Sequence, residues 1–123
     1  TGEMYLIRAE ARARSTQNKG AQALADLNAL RAARIQGYTN VNLSGDALLT
    51  AIADERRREL FAEGHRFFDL KRTTRVINRG APCGTGTSAA GNCTLVVSAR
   101  EWTLPYPETV ANANENIQQN PGY

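Results

Sequence analysis

Between Glu55 and Arg72 the chain reads ERRRELFAEGHRFFDLKR. Six Lys or Arg and four acidic residues stand there among Leu60, Phe61, Phe67, Phe68 and Leu70. Charge this dense inside an apolar pattern restricts the fold, because every charge needs either water or a partner. Placed on a helix with Ile52 as reference, Leu48, Leu49, Leu60, Phe67 and Leu70 lie within about 80° of one line. Such a stripe faces a core. Arg56, Glu59, Glu63 and Arg66 lie within about 40° of the same line. Their spacings make each the helical neighbour of the next, with signs plus, minus, minus, plus. The pattern predicts one long helix, starting near Ala47, with a partly buried Arg–Glu network in its apolar face. Arg suits that setting because its planar fork can bond a carboxylate twice. Gly64 weakens the helix by about 1 kcal/mol relative to Ala, and a bend there would displace Arg66. Phe61 and Phe68 point away from the stripe, so a second surface, such as the C-terminal tail, is expected to cover them.

The same residues admit a catalytic reading. Glu59 and Glu63 could form an acid/base pair with His65 nearby, but His65 projects about 140° from the stripe. Glu63 and His65 are two residues apart and do not face one direction on a helix, which disfavours a metal site. The structural network accounts for the pattern more simply, and no residue is assigned a catalytic or metal-binding role.

Upstream, Glu3 to Arg14 is rich in Ala and other good helix formers. STQNKG, Ser15 to Gly20, reads as a turn. In Ala21 to Ile35, Leu24, Leu27 and Leu30 recur on one helical side among alanines that permit close approach. Residues 1–36 therefore predict an antiparallel, tetratricopeptide-like hairpin. A hairpin alone leaves an apolar face, so this one must pack on something else. A Gly-, Asn- and Ser-rich loop follows, and Ser44 or Asp46 can cap the next helix. Residues 44–75 form the charged-helix region. Residues 76–123 predict an irregular, loop-rich tail, with TLVV as a short strand and an extended ending around three prolines. The expected fold is mainly α: a hairpin, a third long helix and this tail, in a single piece spanning 1–123. Because TGEMYLIRAEARAR already lies in a helical pattern and lacks an initiator Met, the chain reads as part of a longer protein.

Net charge is +3, and most basic residues have acidic neighbours. This is a mixed-sign surface with ion pairs, unlike the one-sided clustering of a nucleic-acid binder. No apolar run reaches the length of a membrane helix. GTGTSAAG, Gly84 to Gly91, lacks the Lys and the strand–loop–helix setting of a phosphate loop. Trp102, Tyr106 and Tyr123 could stack on sugar rings, with Trp102 the candidate ligand contact, or could anchor the tail. Cys83 and Cys93, the only cysteines, are too few for a zinc site with one His. They form either a loop-closing disulfide in an oxidising compartment or two free thiols in a reducing one.

Three stretches together resemble a known family. ERRRELFAEGHRFFDLKRT resembles the signature helix of the SusD/RagB family, and LPYPETVANANENIQQNPGY resembles its C-terminal ending. EMYLIRAEARAR with ALADLNALRAAR is similar to its last tetratricopeptide-like helix pair. The resemblance implies the C-terminal part of a mostly helical lipoprotein on the outer-membrane surface of Bacteroidetes-type bacteria. It implies capture of oligosaccharides, or in some members peptides, together with a SusC-like TonB-dependent transporter, without catalysis or a cofactor. It also implies an exported protein, which favours the Cys83–Cys93 disulfide. The lipid anchor and most of the ligand site would lie outside this chain. A helical-repeat module that binds a partner protein, without glycan, is the alternative.

Overall fold

The computed structural model describes residues 1–79, 83 and 93–123. They form two units, Thr1–Arg66 and Phe67–Tyr123.

The first unit is built from helices α1 (Gly2–Ala13), α2 (Gly20–Arg34) and α3 (Gly45–Glu59). Leu6 and Ala9 of α1 pack with Ala23, Leu27 and Leu30 of α2 and with Leu48 and Ile52 of α3. Leu6, Leu27, Leu48 and Ile52 are fully buried, each contributing about 1.5–3 kcal/mol of transfer free energy. Ala9 and Ala23 let the backbones approach where a larger side chain would separate them. The pairing is antiparallel. Arg12, near the end of α1, reaches Asp26 in the first half of α2. At the other end, Gly2 backs onto Glu59, which the last residue of α2, Arg34, also grips. The expected hairpin is present, and α3 supplies the partner its apolar face requires.

Ser44 occupies the N-cap position of α3 but makes no capping bond with its side chain. Its neighbour Gly45 has φ +53°. Asp46 lies in the first turn, where its charge opposes the positive helix end.

The long third helix expected from periodicity is not continuous. α3 stops at Glu59, and α4 runs over His65–Arg72. Between them Ala62 has φ +63° and Gly64 φ +80°. A left-handed residue cannot continue a right-handed helix, and Gly adopts that conformation without a Cβ clash. The helix has already ended at Glu59, and the left-handed residues Ala62 and Gly64 keep it from resuming before His65.

α4 leads into the second unit, where Thr73 Oγ1 donates to the Asp69 carbonyl at 2.6 Å. Two-residue strands β1 (Ile77–Asn78) and β2 (Thr94–Leu95) pair antiparallel, Ile77 opposite Leu95 and Asn78 opposite Thr94. The strand expected in TLVV is present in its first half. A 3-10 turn (Arg100–Trp102) and a short helix, α5 (Glu108–Ala113), follow. The ending is therefore less uniformly extended than its prolines suggested. Pro107 ends an extended stretch and occupies the N-cap position of α5, where its missing N–H costs nothing.

Candidate functional site: an ionic clamp between three helices

The charged side chains of the first unit are organised as cross-helix clamps. Asp26, buried in α2, accepts from two arginines of α1. Arg8 donates from Nε and Nη2 at 3.1 and 2.7 Å, and Arg12 from Nη1 at 2.6 Å. The Arg8 guanidinium also lies 5.1 Å from the Tyr5 ring centre. Asp26 shares the buried face with Ala23 and Leu30, its neighbours at helical spacings of three and four.

The second clamp joins α2 to α3. Arg31 Nε donates to Glu55 Oε2 at 2.7 Å, and Arg58 Nη1 reaches the same oxygen at 3.2 Å. The third joins Arg34 to Glu59, with Nε at 3.2 and 3.0 Å from the two oxygens and Nη2 at 2.7 Å from Oε1. The spacings of three between the arginines and four between the glutamates place both pairs on facing helical edges.

These contacts set the protonation equilibria. Hydrogen bonding from Arg34 holds the Glu59 carboxyl below the usual range, against the opposing effect of burial, and Coulomb attraction to Arg34 adds to it. The Arg34 and Arg8 guanidinium groups are raised by their bonds to Glu59 and Asp26. For Arg31, burial lowers the value, but hydrogen bonds and attraction from Glu55 and Tyr38 outweigh it. At neutral pH the Arg34–Glu59 pair is therefore ionised.

The four residues of the expected row are not one line. Arg56 is buried in α3. Glu59 is drawn to α2. Glu63 is exposed in the break between helices, and Arg66 belongs to α4. The break over residues 60–64 removes the continuous face on which the row depended. Glu55 is the acidic residue that periodicity overlooked, although it lies only about 60° from Ile52. Arg31, Arg34 and Asp26 were legible in the same way, as charges beside the buried leucines of α2. His65 lies 3.8 Å from Glu3 through Nδ1, at the surface. The expectation that Phe61 and Phe68 are covered is not met. They are 82% and 68% exposed.

A further buried polar group, Asn28, went unnoticed in the sequence. Its Oδ1 accepts from Tyr38 Oη at 2.7 Å and from Val41 N at 3.2 Å, and its Nδ2 donates to Val41 O at 3.1 Å. Asn28 therefore ties the loop before α3 to α2.

In the second unit Trp102 is only 6% exposed. Its ring centre is 5.3 Å from that of Phe67, and its Nε1 donates to Val96 O at 2.7 Å. Lys71 Nζ donates to the Trp102 carbonyl at 2.8 Å. In this chain the indole is a packing anchor whose faces are covered. Gln119 exchanges two side-chain hydrogen bonds with the backbone of Tyr106, at 2.8 and 3.0 Å, and Asn120 Nδ2 donates to Leu104 O at 2.6 Å. The Arg100 guanidinium lies 4.8 Å from the Tyr123 ring centre and donates to the Gly122 carbonyl. Cys83 and Cys93 are joined by a disulfide, with Cα atoms 5.5 Å apart. The Gly84–Gly91 stretch weighed as a phosphate loop lies outside the described residues.

Among the described residues, no group of three or more His, Cys, Asp or Glu is placed to hold a metal. No helix among them is long and apolar enough to cross a membrane. The buried carboxylates Asp26 and Glu55 are engaged in joining helices, which is the chemistry of a helical scaffold. The SusD family model (SusD_RagB) matches residues 1–123, and the chain belongs to that family. No curated protein matches it.

Proposed function

We propose that this chain is the C-terminal scaffold of a cell-surface lipoprotein that binds nutrients, chiefly oligosaccharides. In this reading it works with a SusC-like TonB-dependent transporter in the outer membrane, is held there by a lipid anchor on the full-length protein, and catalyses nothing. The observation that carries the proposal is the family match over residues 1–123. The helical fold and its ionic clamps support it, because a receptor needs a rigid frame for contacts made elsewhere. The ERRRELFAEGHRFFDLKR stretch then serves folding, and no ligand contact is assigned to it.

The partnership is tested by co-expressing the tagged full-length protein with a SusC-like TonB-dependent transporter from the same organism. Co-purification from detergent-solubilised outer membranes at fixed stoichiometry is expected. Recovery of the tagged protein alone, from the soluble fraction, would refute both the location and the partnership.

A further inference from the structure

Charge is unevenly divided in the second unit. Residues 67–79 hold four basic side chains, Lys71, Arg72, Arg75 and Arg79, against one acid, Asp69, a net of +3. Residues 80–123 hold Arg100 against Glu101, Glu108 and Glu115, a net of −2. Arg72 is bound to Asp69, its Nη2 2.7 Å from Oδ1. Lys71, Arg75 and Arg79 have no acidic partner among the described residues. Lys71 donates to the Trp102 carbonyl, which is neutral and leaves its charge uncompensated. The strand that faces β1, Thr94–Leu95, carries no charge. Apolar side chains stand exposed among these cations. Phe68 is 68% exposed, one helical turn before Lys71 on α4. Its ring rests edge-on against Phe67, with centres 5.7 Å apart, and Phe67 packs on Trp102. The stack is fixed at its base while its outermost ring projects. Val76, between Arg75 and β1, is half exposed.

We infer that Phe68, Lys71, Arg75, Val76 and Arg79 form a docking surface for an anionic lipid membrane: the three cations meet headgroup phosphates, while Phe68 and Val76 enter the boundary between headgroups and acyl chains. Charge complementarity selects the occupant. Uncompensated cations call for an anionic partner, and exposed apolar side chains among them call for one that is apolar just beneath its charge. An anionic bilayer has both layers in that order. A nucleic acid offers phosphate charge without an apolar layer behind it. The long Lys and Arg stems let the charged heads reach phosphates while the apolar side chains between them are buried. The inference takes its setting from the outer-membrane location proposed above. It uses neither the nutrient nor the transporter, and its test involves neither, so its failure and theirs are separate results.

The test is co-sedimentation of the full-length protein, prepared without its lipid anchor, with vesicles of phosphatidylcholine alone and with vesicles that also contain phosphatidylglycerol. Binding is expected only to the anionic vesicles at about 0.1 M salt. It should be lost at about 1 M salt, where the screening length falls from about 10 Å to about 3 Å. Arg75→Gln/Arg79→Gln should weaken it by about 25-fold, at about fivefold for each cation near such a surface. Arg75→Lys/Arg79→Lys keeps the charge and should bind as wild type does. Phe68→Ser should weaken binding severalfold with Tm unchanged, because the side chain is exposed. Equal sedimentation with both vesicle types, or with neither, would overturn the inference. So would undiminished binding by a folded Arg75→Gln/Arg79→Gln variant, which would place the contact elsewhere. Binding to heparin without binding to anionic vesicles would also overturn it, by assigning the cations to a soluble polyanion.

Discussion

Replacing Glu55 with Gln removes one charge and almost no volume, so it isolates the electrostatic part of the clamp. The Glu55 side chain is 7% exposed and that of Arg31 only 13%. With Gln at 55, the Arg31 guanidinium stays in a site largely closed to water, facing a neutral amide. Breaking a buried pair from one side costs about 3–5 kcal/mol. Here the cost falls to about 2–3 kcal/mol, because the Gln carbonyl can still accept the Arg31 Nε–H and the guanidinium keeps some solvent contact. The exposed Arg58 contact adds at most a few tenths of a kcal/mol. A 123-residue chain has an unfolding entropy near 0.26 kcal/mol/K at about 2.1 cal/mol/K per residue. The expected loss in Tm is therefore about 8–12 °C, read by circular dichroism at 222 nm. A double-mutant cycle with Arg31→Met, Glu55→Met and Arg31→Met/Glu55→Met separates the pair from its parts. Each single change should destabilise by more than 1.5 kcal/mol, whereas the double methionine variant should lie within about 1 kcal/mol of wild type. Glu55→Gln within about 0.5 kcal/mol of wild type, or strictly additive single changes, would refute the clamp.

The Glu59 clamp predicts a pH signature. A carboxyl whose folded value is depressed contributes stability above its unfolded value, near 4.3, and loses it as pH falls through the folded value. Urea midpoints of wild type and Glu59→Gln should differ by a constant amount above about pH 5 and converge below about pH 4, so a gap that widens in acid would contradict the assignment. Ala62→Gly should stabilise by about 1 kcal/mol, because it removes a Cβ from a left-handed residue at φ +63°, while Gly64→Ala should cost a similar amount. Thermal melts of the two variants check this. Asn28→Ala should cost about 1–3 kcal/mol by stranding the Val41 backbone groups, with local loss of exchange protection at Val41 measured by NMR.

Legibility in the sequence followed the physics of each element. The hairpin could be read because Leu24, Leu27 and Leu30 repeat at helical spacing and few breakers interrupt either helix. Its need for a third helix followed from the apolar face it leaves. The charged row failed because periodicity assumes a straight axis. A helix end invalidates every angle beyond it, and the break over residues 60–64, with Ala62 and Gly64 left-handed, cuts the row after Glu59. Burial of charge was legible, but partners were not. The arginines that grip Glu55 and Glu59 sit 24 and 25 residues earlier on another helix, and single-helix geometry cannot see them. The Gln119 and Asn120 bonds to the Leu104–Pro107 segment had no signal at all. They depend on one side chain meeting the backbone of a non-periodic segment, and amide residues in a loop look alike until the chain is folded.

The most direct measurement is calorimetric titration of a panel of oligosaccharides into the full-length protein and, in parallel, into this chain. The account predicts saturable heat from at least one oligosaccharide with the full-length protein and none with residues 1–123. Equal affinity for this chain alone would place the ligand site inside what is described here as scaffold, and no heat from either would contradict the oligosaccharide-receptor reading.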